Sequence, residues 1–439
     1  MKISLAFLLR IATLVLIPLL LVGISGIVRE ATEIKRVLFL ALPDAQFARA
    51  VPTLTKLLDG TVLIVGGGES ETTPSLIYNP ETKLFSSIST LIGNTLLHTA
   101  TPLPNGNVVI IGGRYYDSRG VQTLDSIKIY NANLKQFTEI GKLKTPRAGH
   151  TATQLPNGKI LIVGGFDNNL DPIPSAEVFD PLNEVTQDIG NSRIPRAFHT
   201  ATLLANGKVL VAGGTQVAAA TAELYDPETN EFTLVSDMTS AHYSHSATLL
   251  PSGRILIVGG GDGLTSAELF DPASNTFSAT GSLTEGRRNH SATLLSNGDV
   301  LIVRGIGKGD SSIASAEIFT SLTGKFSIVG RSALAGGSHS AILLPKDAVL
   351  VVGGQGSSVT PAELVVPAQV TFLPLAQYQL PPTATPLPIP RCDPSYPTVC
   401  IPPPPPTLNC SDIPYRNFQV LPPDPHGFDH DGDGIGCET

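Results

Sequence analysis

The stretch that decides the fold runs from His245 to Phe277 and reads HSATLLPSGRILIVGGGDGLTSAELFDPASNTF. Three apolar runs, HSATLL, RILIV and AELF, are separated by Pro251-Ser252-Gly253 and by a loop that starts at Gly259-Gly260, and a fourth run opens at Phe277. Short apolar runs bounded by turn residues are typical of β-strands, and no helical period is present. The stretch therefore predicts four consecutive strands.

The same pattern occurs seven times along the chain. The second glycine of the pair, or its equivalent, recurs every 45–52 residues, at Gly67, Gly113, Gly165, Gly214, Gly260, Gly305 and Gly354. A period of about 40–50 residues built from four strands is typical of a β-propeller blade. The sequence thus predicts an all-β fold, a seven-bladed propeller over residues 36–378.

The repeat resembles the Kelch repeat. Paired glycines close the second strand, an aromatic residue lies on the third strand, and a second aromatic follows seven residues later, as in Tyr225 and Phe232. Kelch repeats usually carry Trp at the second position, whereas this chain has no Trp and uses Phe. The resemblance implies a Kelch-type propeller of the galactose-oxidase-like group, whose members bind, form scaffolds or occasionally catalyse.

Two features concern ring closure and turns. The run Arg36 to Leu42 places Phe39 at the fourth-strand position of Phe137, so it is a candidate to complete the last blade, with Val370 to Leu375 as the alternative. An open ring would leave exposed strand edges. Asn-Gly pairs predict type I′ turns after the first strand, and they are Asn105-Gly106, Asn157-Gly158, Asn206-Gly207 and Asn297-Gly298.

Three polar residue types follow the repeat. A histidine opens the first strand in six blades, a glutamate occupies the third strand in five, and an arginine precedes the histidine by three positions in several. Residues that follow a repeat serve its architecture, so we expect hydrogen-bonded histidines and buried Glu–Arg pairs rather than a metal ring or catalytic carboxylates. The positions are His98, His150, His199, His245, His290 and His339; Glu177, Glu223, Glu268, Glu317 and Glu363; and Arg147, Arg196 and Arg287.

Function is expected where the repeat is broken. In an antiparallel blade, the loops between the second and third strands emerge on the same face as the loops between blades, and these loops are longest in blades two and three. Their aromatic, arginine and amide side chains predict a patch for a glycan or protein ligand, with plain solvated loops as the alternative. The candidates are Arg114, Tyr115, Tyr116, Arg119, Phe166, Asp167 and Asn168.

Residues 1–30 predict export. Ile11 to Val28 is an uncharged apolar run behind Lys2 and Arg10, which fits either a cleaved signal peptide or an uncleaved membrane anchor. Both readings place the remainder outside the cytoplasm. The net charge of −8, with 15% charged residues and no basic cluster, argues against a nucleic-acid partner.

A Pro-rich linker is predicted at residues 379–408, where LPPTATPLPIP and IPPPPPT favour an extended chain. All four cysteines follow residue 390, and none lies in the propeller. In an exported protein Cys392 and Cys400 are expected to form a local disulfide.

The end of the chain contains a cation-binding pattern. Asp429, Asp431 and Asp433 alternate before Gly434, which is the first half of an EF-hand loop, but Glu438 falls at position ten rather than twelve. Carboxylates at this spacing converge on a hard cation.

Residues 409–439 resemble the excalibur module, a small extracellular calcium-binding unit of bacterial surface proteins. The motifs that match are the final Cys437-Glu438, the upstream Cys410 and the Asp424-Pro425 segment. The resemblance implies Ca²⁺ ligation by Asp429, Asp431, Asp433 and Glu438, a Cys410–Cys437 disulfide that ties a segment too small to hold a core, and a bacterial source.

Three functions remain in view. The first is an exported surface protein, membrane-tethered if the N-terminal segment is uncleaved, whose propeller binds a glycan or protein. The second is a secreted enzyme of the galactose-oxidase kind, which is disfavoured because the Tyr–Cys crosslink implied by that family needs a propeller cysteine. The third is a structural spacer or adhesin of the cell envelope.

Overall fold

The computed structural model describes residues 36–42, 49–68, 72–89, 95–118, 120–215, 218–354 and 362–368, and near the C-terminus 394–397, 399, 401, 408–412, 414, 416–430 and 434–437. The chain divides into two compact units, Met1–Gln369 and Val370–Thr439. Among the residues that the structure describes, no helix is long and apolar enough to cross a membrane. The predicted export segment at 1–30 and most of the predicted linker lie outside the described residues.

In the first unit the described strands form seven four-stranded antiparallel sheets, which are the blades of a β-propeller. Blade one contains β2 (Thr53–Lys56), β3 (Val62–Val65), β4 (Leu76–Asn79) and β5 (Leu84–Ser87). Blade two contains β6 (Thr99–Pro102), β7 (Val108–Ile111), β10 (Ser126–Asn131) and β11 (Gln136–Lys142), with an accessory hairpin of β8 (Arg114–Asp117) and β9 (Gly120–Thr123). Blade three contains β12 (Thr151–Gln154), β13 (Ile160–Val163), β14 (Ser175–Asp180) and β15 (Val185–Asn191).

The remaining blades follow the same order. Blade four contains β16 (Thr200–Leu203), β17 (Val209–Ala212), β18 (Ala222–Asp226) and β19 (Glu231–Leu234). Blade five contains β20 (Ser246–Leu249), β21 (Ile255–Val258), β22 (Ala267–Asp271) and β23 (Thr276–Ala279). Blade six contains β24 (Ser291–Leu294), β25 (Val300–Ile306), β26 (Ser312–Thr320) and β27 (Lys325–Arg331). Blade seven contains β1 (Arg36–Ala41), β28 (His339–Leu343), β29 (Val349–Gly353) and β30 (Ala362–Ala368). Short 3-10 turns lie at Lys308–Asp310 and Pro345–Asp347.

The core lies between the blades rather than in one central mass. Each hydrophobic cluster of this unit joins two neighbouring blades, as where Phe179 of blade three packs with Val109 and Ile111 of blade two. The second strand of each blade is covered on both faces, so all four residues of strands such as β13 are buried. This double coverage explains why runs such as ILIV are continuously apolar instead of alternating.

The ring is closed by the N-terminal strand of the propeller. Strand β1 pairs antiparallel with β30, and Phe39 lies opposite Val365. In blade two Phe137 lies opposite Tyr130 in the same way. Of the two candidate strands that the sequence left open, Arg36–Ala41 completes the last blade, whereas Val370 to Leu375 lies outside the described residues. Closure pairs the edge of β30 that the circle would otherwise leave open.

The predicted type I′ turns are wrong. In blade two the amide of Gly106 donates to the carbonyl of Leu103, so Pro104 and Asn105 are the central residues. Gly106 has φ +86°, but Asn105 is not among the residues with positive φ. The turn is therefore of type I followed by a left-handed glycine. Proline at the first central position fixes a negative φ, which type I requires and type I′ forbids.

Buried Arg–Glu pairs lock the loops between blades onto the blade that follows, as predicted. Arg147 Nη2 lies 2.6 Å from Glu177 Oε1, and both side chains are almost fully buried. The same carboxylate accepts the backbone amides of Lys144 and Thr145, which belong to the loop entering blade three. The equivalent pairs are Arg196–Glu223 and Arg287–Glu317. In blade five His242 replaces the arginine and lies 3.1 Å from Glu268.

Blade seven receives its arginine from its neighbour. Position 336, three residues before His339, is a glycine. Arg304 of blade six instead donates to the carbonyl of Gly353 and lies 3.7 Å from Glu363. Arg304 has φ +55° because it replaces the first glycine of the pair. This explains why blade six alone breaks the glycine pair.

The six repeated histidines form a belt of hydrogen bonds around the channel, here called the histidine belt. Each Nε2 is hydrogen-bonded to the hydroxyl of the threonine or serine that begins the first strand of the preceding blade, at 2.8–3.1 Å. The partners are Thr53–His98, Thr99–His150, Thr151–His199, Thr200–His245, Ser246–His290 and Ser291–His339. Ser340 closes the circle by donating to the carbonyl of Pro52, which stands in the histidine position of blade one.

The belt holds neutral imidazoles. Burial lowers the pKa of His98 to about 4, against partial opposition from the Thr95 carbonyl. It lowers the pKa of His150 and His290 to about 3, with Arg147 and Arg287 adding repulsion. The pKa values of His199, His245 and His339 also lie well below the ordinary value. The histidines therefore serve as uncharged hydrogen-bonding groups, as the repeat predicts.

The pH dependence of stability follows from the belt. The unfolded chain protonates these histidines near pH 6.5, whereas the folded chain does so only near pH 3–4. Stability should therefore fall as the pH drops from 7 to 5, by about 1.4 kcal/mol per pH unit for each histidine that is charged in the unfolded state. His290→Gln should reduce the slope by about one proton, because its pKa in the folded chain lies near 3. Urea denaturation at successive pH values measures the slope, and a flat profile between pH 7 and 5 would contradict the assignment.

The Arg–Glu locks predict a contrast between two glutamates. Glu317 accepts Arg287 at 2.7 Å and two backbone amides, so Glu317→Gln should cost about 3 kcal/mol of unfolding free energy. Burial raises the pKa of Glu363, whose arginine is farther away, so Glu363→Gln should cost less than about 1 kcal/mol. Denaturant midpoints at pH 7 give both values, and equal losses would show that the short pair adds nothing.

Candidate functional site

Seven residues that precede the first strands surround the channel at one face of the propeller. They are here called the floor ring and are Val51, Leu97, Gly149, Phe198, Ser244, Asn289 and Ser338. The amides of all members except Leu97 donate to the carbonyl of the equivalent residue in the preceding blade, giving six bonds of 2.8–3.2 Å. Among the described residues only the step between Val51 and Leu97 has no such bond. The backbone of the ring is therefore satisfied by the ring itself.

Every member of the floor ring has a left-handed backbone, with φ between +49° and +65°. This conformation costs roughly 1–2 kcal/mol for a residue other than glycine, and it is most unusual for a β-branched residue such as Val51. The ring hydrogen bonds and the packed blades hold it in place. Glycine at all seven positions would relieve the strain, yet six positions carry side chains, which is the kind of strain found at functional sites.

The side chains of the floor ring differ although its backbone repeats. Blades one to four supply the apolar arc, defined as Val51, Leu97, Gly149 and Phe198. Blades five to seven supply the polar arc, defined as Ser244, Asn289 and Ser338. All residues of the two arcs except Gly149, together with four of the first-strand histidines, line a cavity of about 550 Å³, a volume typical of small-ligand sites.

The accessory hairpin of blade two forms a wall of this cavity. Arg114 is joined to Leu96 by two backbone hydrogen bonds of 2.7 and 2.8 Å, which fix the base of the hairpin beside the apolar arc. Arg114 and Tyr116 line the cavity. The guanidinium carbon of Arg114 lies 5.7 Å from the centre of the Tyr116 ring, whose residue is 52% exposed. An accessible aromatic ring and a cation therefore stand together at the rim.

The candidates from blade three support the wall instead of lining it. Asn168 Oδ1 accepts the amide of Thr123, which ties the blade-three loop to the accessory hairpin. The carboxylate of Asp167 accepts two amides of its own loop. Phe166 contacts Phe198 edge to face at 5.2 Å and so packs behind the apolar arc. The blade-three candidates therefore contact the accessory hairpin and the apolar arc, and their role in ligand binding stays a prediction.

The structure adds the floor ring to the predicted site candidates. Tyr115 lies half-buried on β8, and Arg119 lies outside the described residues. Sequence reasoning missed the floor ring, because it searched long loops and this position lies in a short, regular segment. The signal was available in the residue before each histidine, which varies from blade to blade although the histidine itself recurs in six blades.

The charge of the cavity is carried by one group. The four histidines that line it are His199, His245, His290 and His339, and burial keeps the pKa of each far below neutrality. Of the described lining residues, Arg114 alone carries a charge at pH 7. No carboxylate of the described chain lies within ion-pairing distance of it. A cation without a counter-ion faces an otherwise neutral cavity.

The second unit has its own small core. Tyr396, Phe418 and Phe428 pack with the Cys410–Cys437 disulfide, beside the short ladder of β31 (Phe418–Gln419) and β32 (Ile435–Gly436) and a 3-10 turn at Cys410–Asp412. The predicted disulfide between these cysteines is confirmed, whereas Cys392 and Cys400 lie outside the described residues. The disulfide and four aromatic rings replace the large core that so short a segment lacks.

Asp424 organises the turn before the predicted cation loop. Its carboxylate accepts the hydroxyl of Tyr396 at 2.7 Å and the amides of Gly427 and Asp429. Partial burial alone would raise the pKa of Asp424, but these hydrogen bonds lower it below the ordinary value. Asp429 in turn accepts the amide of Gly434 at 2.9 Å, so its carboxylate closes the loop that the calcium pattern spans.

The predicted calcium ligands are only partly described. Asp431, Asp433 and Glu438 lie outside the described residues, and no cluster of three or more metal-ligating side chains occurs among the residues that are described. The calcium assignment stays a prediction.

Comparisons with known proteins address the fold. Residues 97–307 match the family model described as the KLHDC2/KLHL20/DRC7 Kelch-repeats domain. No curated protein matches the chain. A solved structure of a fungal alcohol oxidase of the AA5 family in complex with copper is similar at 15% identity and a TM-score of 0.62, over 76% of this chain and 77% of that chain. The structure of YjhT is similar at 16% identity and a TM-score of 0.53, over 66% of this chain and 99% of that chain.

These identities show a shared fold and nothing finer. The family match extends from the floor ring of blade two to the second strand of blade six. The all-β, seven-bladed propeller predicted from the repeat is confirmed by the sheet topology, and the predicted Kelch repeats are supported over residues 97–307, which match the Kelch-repeats model.

Proposed function

We propose that this chain is an exported surface protein whose propeller binds a glycan or protein ligand and whose C-terminal unit binds Ca²⁺. The propeller uses the cavity above the floor ring for binding. The N-terminal segment directs export and tethers the chain to the membrane if it is not cleaved. A bacterial source is part of this proposal, since the C-terminal segment resembles the excalibur module.

One observation carries the binding role. The backbone conformation of the floor ring is the same in all seven blades, but its side chains differ. In the histidine belt and the Arg–Glu locks the side chains repeat as well, and where one is missing another residue takes over its contact, as Arg304 does for blade seven. A position whose side chain is not needed for the fold is available for recognition. Its members converge on a cavity of about 550 Å³ together with Arg114 and Tyr116.

An enzyme of the galactose-oxidase kind is the second candidate, and the similarity to the copper-bound fungal alcohol oxidase is the observation that favours it. The crosslink implied by the galactose-oxidase resemblance requires a cysteine in the propeller, and all four cysteines of this chain follow residue 390. A binding role without catalysis is therefore preferred. A structural envelope spacer is the third candidate, and it needs no occupied cavity.

Binding through the cavity makes a direct prediction. Purified full-length protein applied to arrayed glycans and surface proteins should retain at least one ligand, and Asn289→Leu should weaken retention about tenfold by replacing a hydrogen-bonding group with an apolar one. The control is Leu182→Ser, because Leu182 is 88% exposed in a turn of the opposite face. Equal retention by Asn289→Leu would place the site elsewhere, and no retention at all would favour the spacer.

Calcium binding is tested on the same full-length protein by calorimetry. We expect one site of micromolar to millimolar affinity that is lost in Asp431→Ala, because the alternate carboxylates supply the ligands. Asp310→Asn removes an exposed propeller carboxylate, 81% accessible, and should leave the binding heat unchanged. Absence of heat at millimolar calcium, or an equal loss in both variants, would remove calcium from the proposal.

A further inference from the structure

Three chemistries meet in the cavity above the floor ring, and each occupies its own sector. The cation Arg114 stands in the sector of blade two, where its backbone is paired with Leu96. The apolar arc lies below it, and the polar arc belongs to blades five to seven, across the ring. This inference rests on the proposed binding role of the cavity and concerns the ligand.

The apolar arc offers a surface for carbon-bound hydrogens. Phe198 lines the cavity, and its ring is held at 5.2 Å by Phe166 behind it. A Cβ at Gly149 would lie in ordinary contact with both rings, 3.4 Å from Phe198 and 3.5 Å from Phe166, so the glycine is favoured by its φ of +65° rather than by lack of space. Leu97 continues the arc toward Arg114. A flat apolar face of a ligand can pack on this arc by dispersion and burial.

The polar arc offers neutral hydrogen bonds. The hydroxyls of Ser244 and Ser338 and the amide of Asn289 line the cavity, and none of these side chains has a hydrogen-bond partner among the described residues. They lie in three successive blades, so their donors and acceptors are spread along one side of the cavity. Several hydroxyl groups of one ligand would match this spread better than a single polar group.

Arg114 adds a charge requirement. Within the described part of the chain it has no carboxylate partner, and the remaining lining residues are neutral. A guanidinium pairs best with a carboxylate, through two parallel hydrogen bonds. A neutral ligand would leave this cation without a partner inside a partly desolvated cavity.

We propose that the cavity takes an acidic sugar, a pyranose with one carboxylate such as a hexuronic acid at the end of an oligosaccharide. The carboxylate binds Arg114, the carbon-bound face of the ring packs on Phe198 and Leu97, and the hydroxyls bind Ser244, Asn289 and Ser338. A peptide chain end also carries a carboxylate, but it offers few hydroxyls to the polar arc. The sugar acid satisfies all three sectors with one small ligand.

The test compares matched ligands on the full-length protein. Tetrasaccharides ending in glucuronic, galacturonic or mannuronic acid are each titrated calorimetrically beside the counterpart ending in the neutral hexose. At low ionic strength at least one acidic ligand should bind about tenfold more tightly than its neutral partner, because charged hydrogen bonds are the stronger ones. The preference should shrink as salt is added.

Two variants separate the ligand class from the site. Arg114→Gln should reduce the affinity for the acidic ligand about tenfold and bring it to the neutral level, while Asn289→Ala should weaken acidic and neutral ligands alike. Arg288→Gln is the matched control. Arg288 is the residue before Asn289 of the floor ring, but its guanidinium is paired with Asp262 and Asp310 and does not line the cavity. Its replacement should therefore leave both affinities unchanged.

The outcomes are distinct. Equal affinities for acidic and neutral sugars, or a preference that survives Arg114→Gln, would overturn the acidic-sugar assignment while leaving the cavity as a binding site if Asn289→Ala still weakens binding. Binding of peptides with a free carboxyl terminus, but not of the amidated forms or of any sugar, would also overturn it and assign the charge to a peptide. Binding of none of these ligands, with no array ligand sensitive to Asn289→Leu, would overturn the proposed function as well.

Discussion

The contact between the innermost strands of neighbouring blades is the constraint on which the propeller depends. Each blade is a four-stranded sheet that cannot cover both of its faces alone, so its stability comes from the layers it shares with two neighbours. The histidine belt fixes those neighbours near the channel, where strands converge and little apolar area is available. This contact holds every blade only if the circle is closed. Near the channel the bond from Ser340 to Pro52 closes it, and at the outer edge of blade seven strand β1 does so.

Neutrality is part of this arrangement. A charged imidazole in the belt would be desolvated and would repel its neighbours, which is why the pKa values lie so low. The arginines three residues upstream carry the charge instead, and each has a buried carboxylate or backbone carbonyls as partners. Because the histidines are neutral and the charged arginines are paired, the wall of the channel is neutral. The electrostatic potential at the rim therefore comes from one unpaired cation, Arg114, and charged residues in the wall would have masked it.

Departures from the repeat show how far the architecture tolerates change. His242 reproduces the two contacts of an arginine with a shorter side chain. Arg304 reaches blade seven from blade six and accepts a left-handed backbone to do so. Arg49 keeps its bond to Gly66 although Leu76 occupies the glutamate position of blade one, and burial then lowers its pKa to about 10. In each case the hydrogen bond to the end of the second strand is retained, whereas the ion pair is optional.

The sequence by itself determined what depends on local pattern and repetition. It determines the number of blades, the strand pattern within each blade, the continuously apolar second strand and the architectural hydrogen bonds and ion pairs of the repeated His, Arg and Glu residues. It also identified Phe39 as a fourth-strand residue, because the aromatic spacing of the repeat places it there. These features follow from strand periodicity and from turn residues, which act over short distances.

Only the tertiary structure decided the features that depend on which residues meet around the circle. The first turn of blade two is of type I because Pro104 fixes φ before Asn105, a detail that the Asn-Gly pair conceals. Neither blade six nor blade seven by itself reveals that Arg304 of blade six makes the arginine contacts of blade seven. The floor ring emerges only when seven residues about 50 positions apart are brought together around the circle, where hydrogen bonds join six of the seven steps. Closure converts distant, unremarkable positions into one cavity, and that cavity is where the side chains stop repeating.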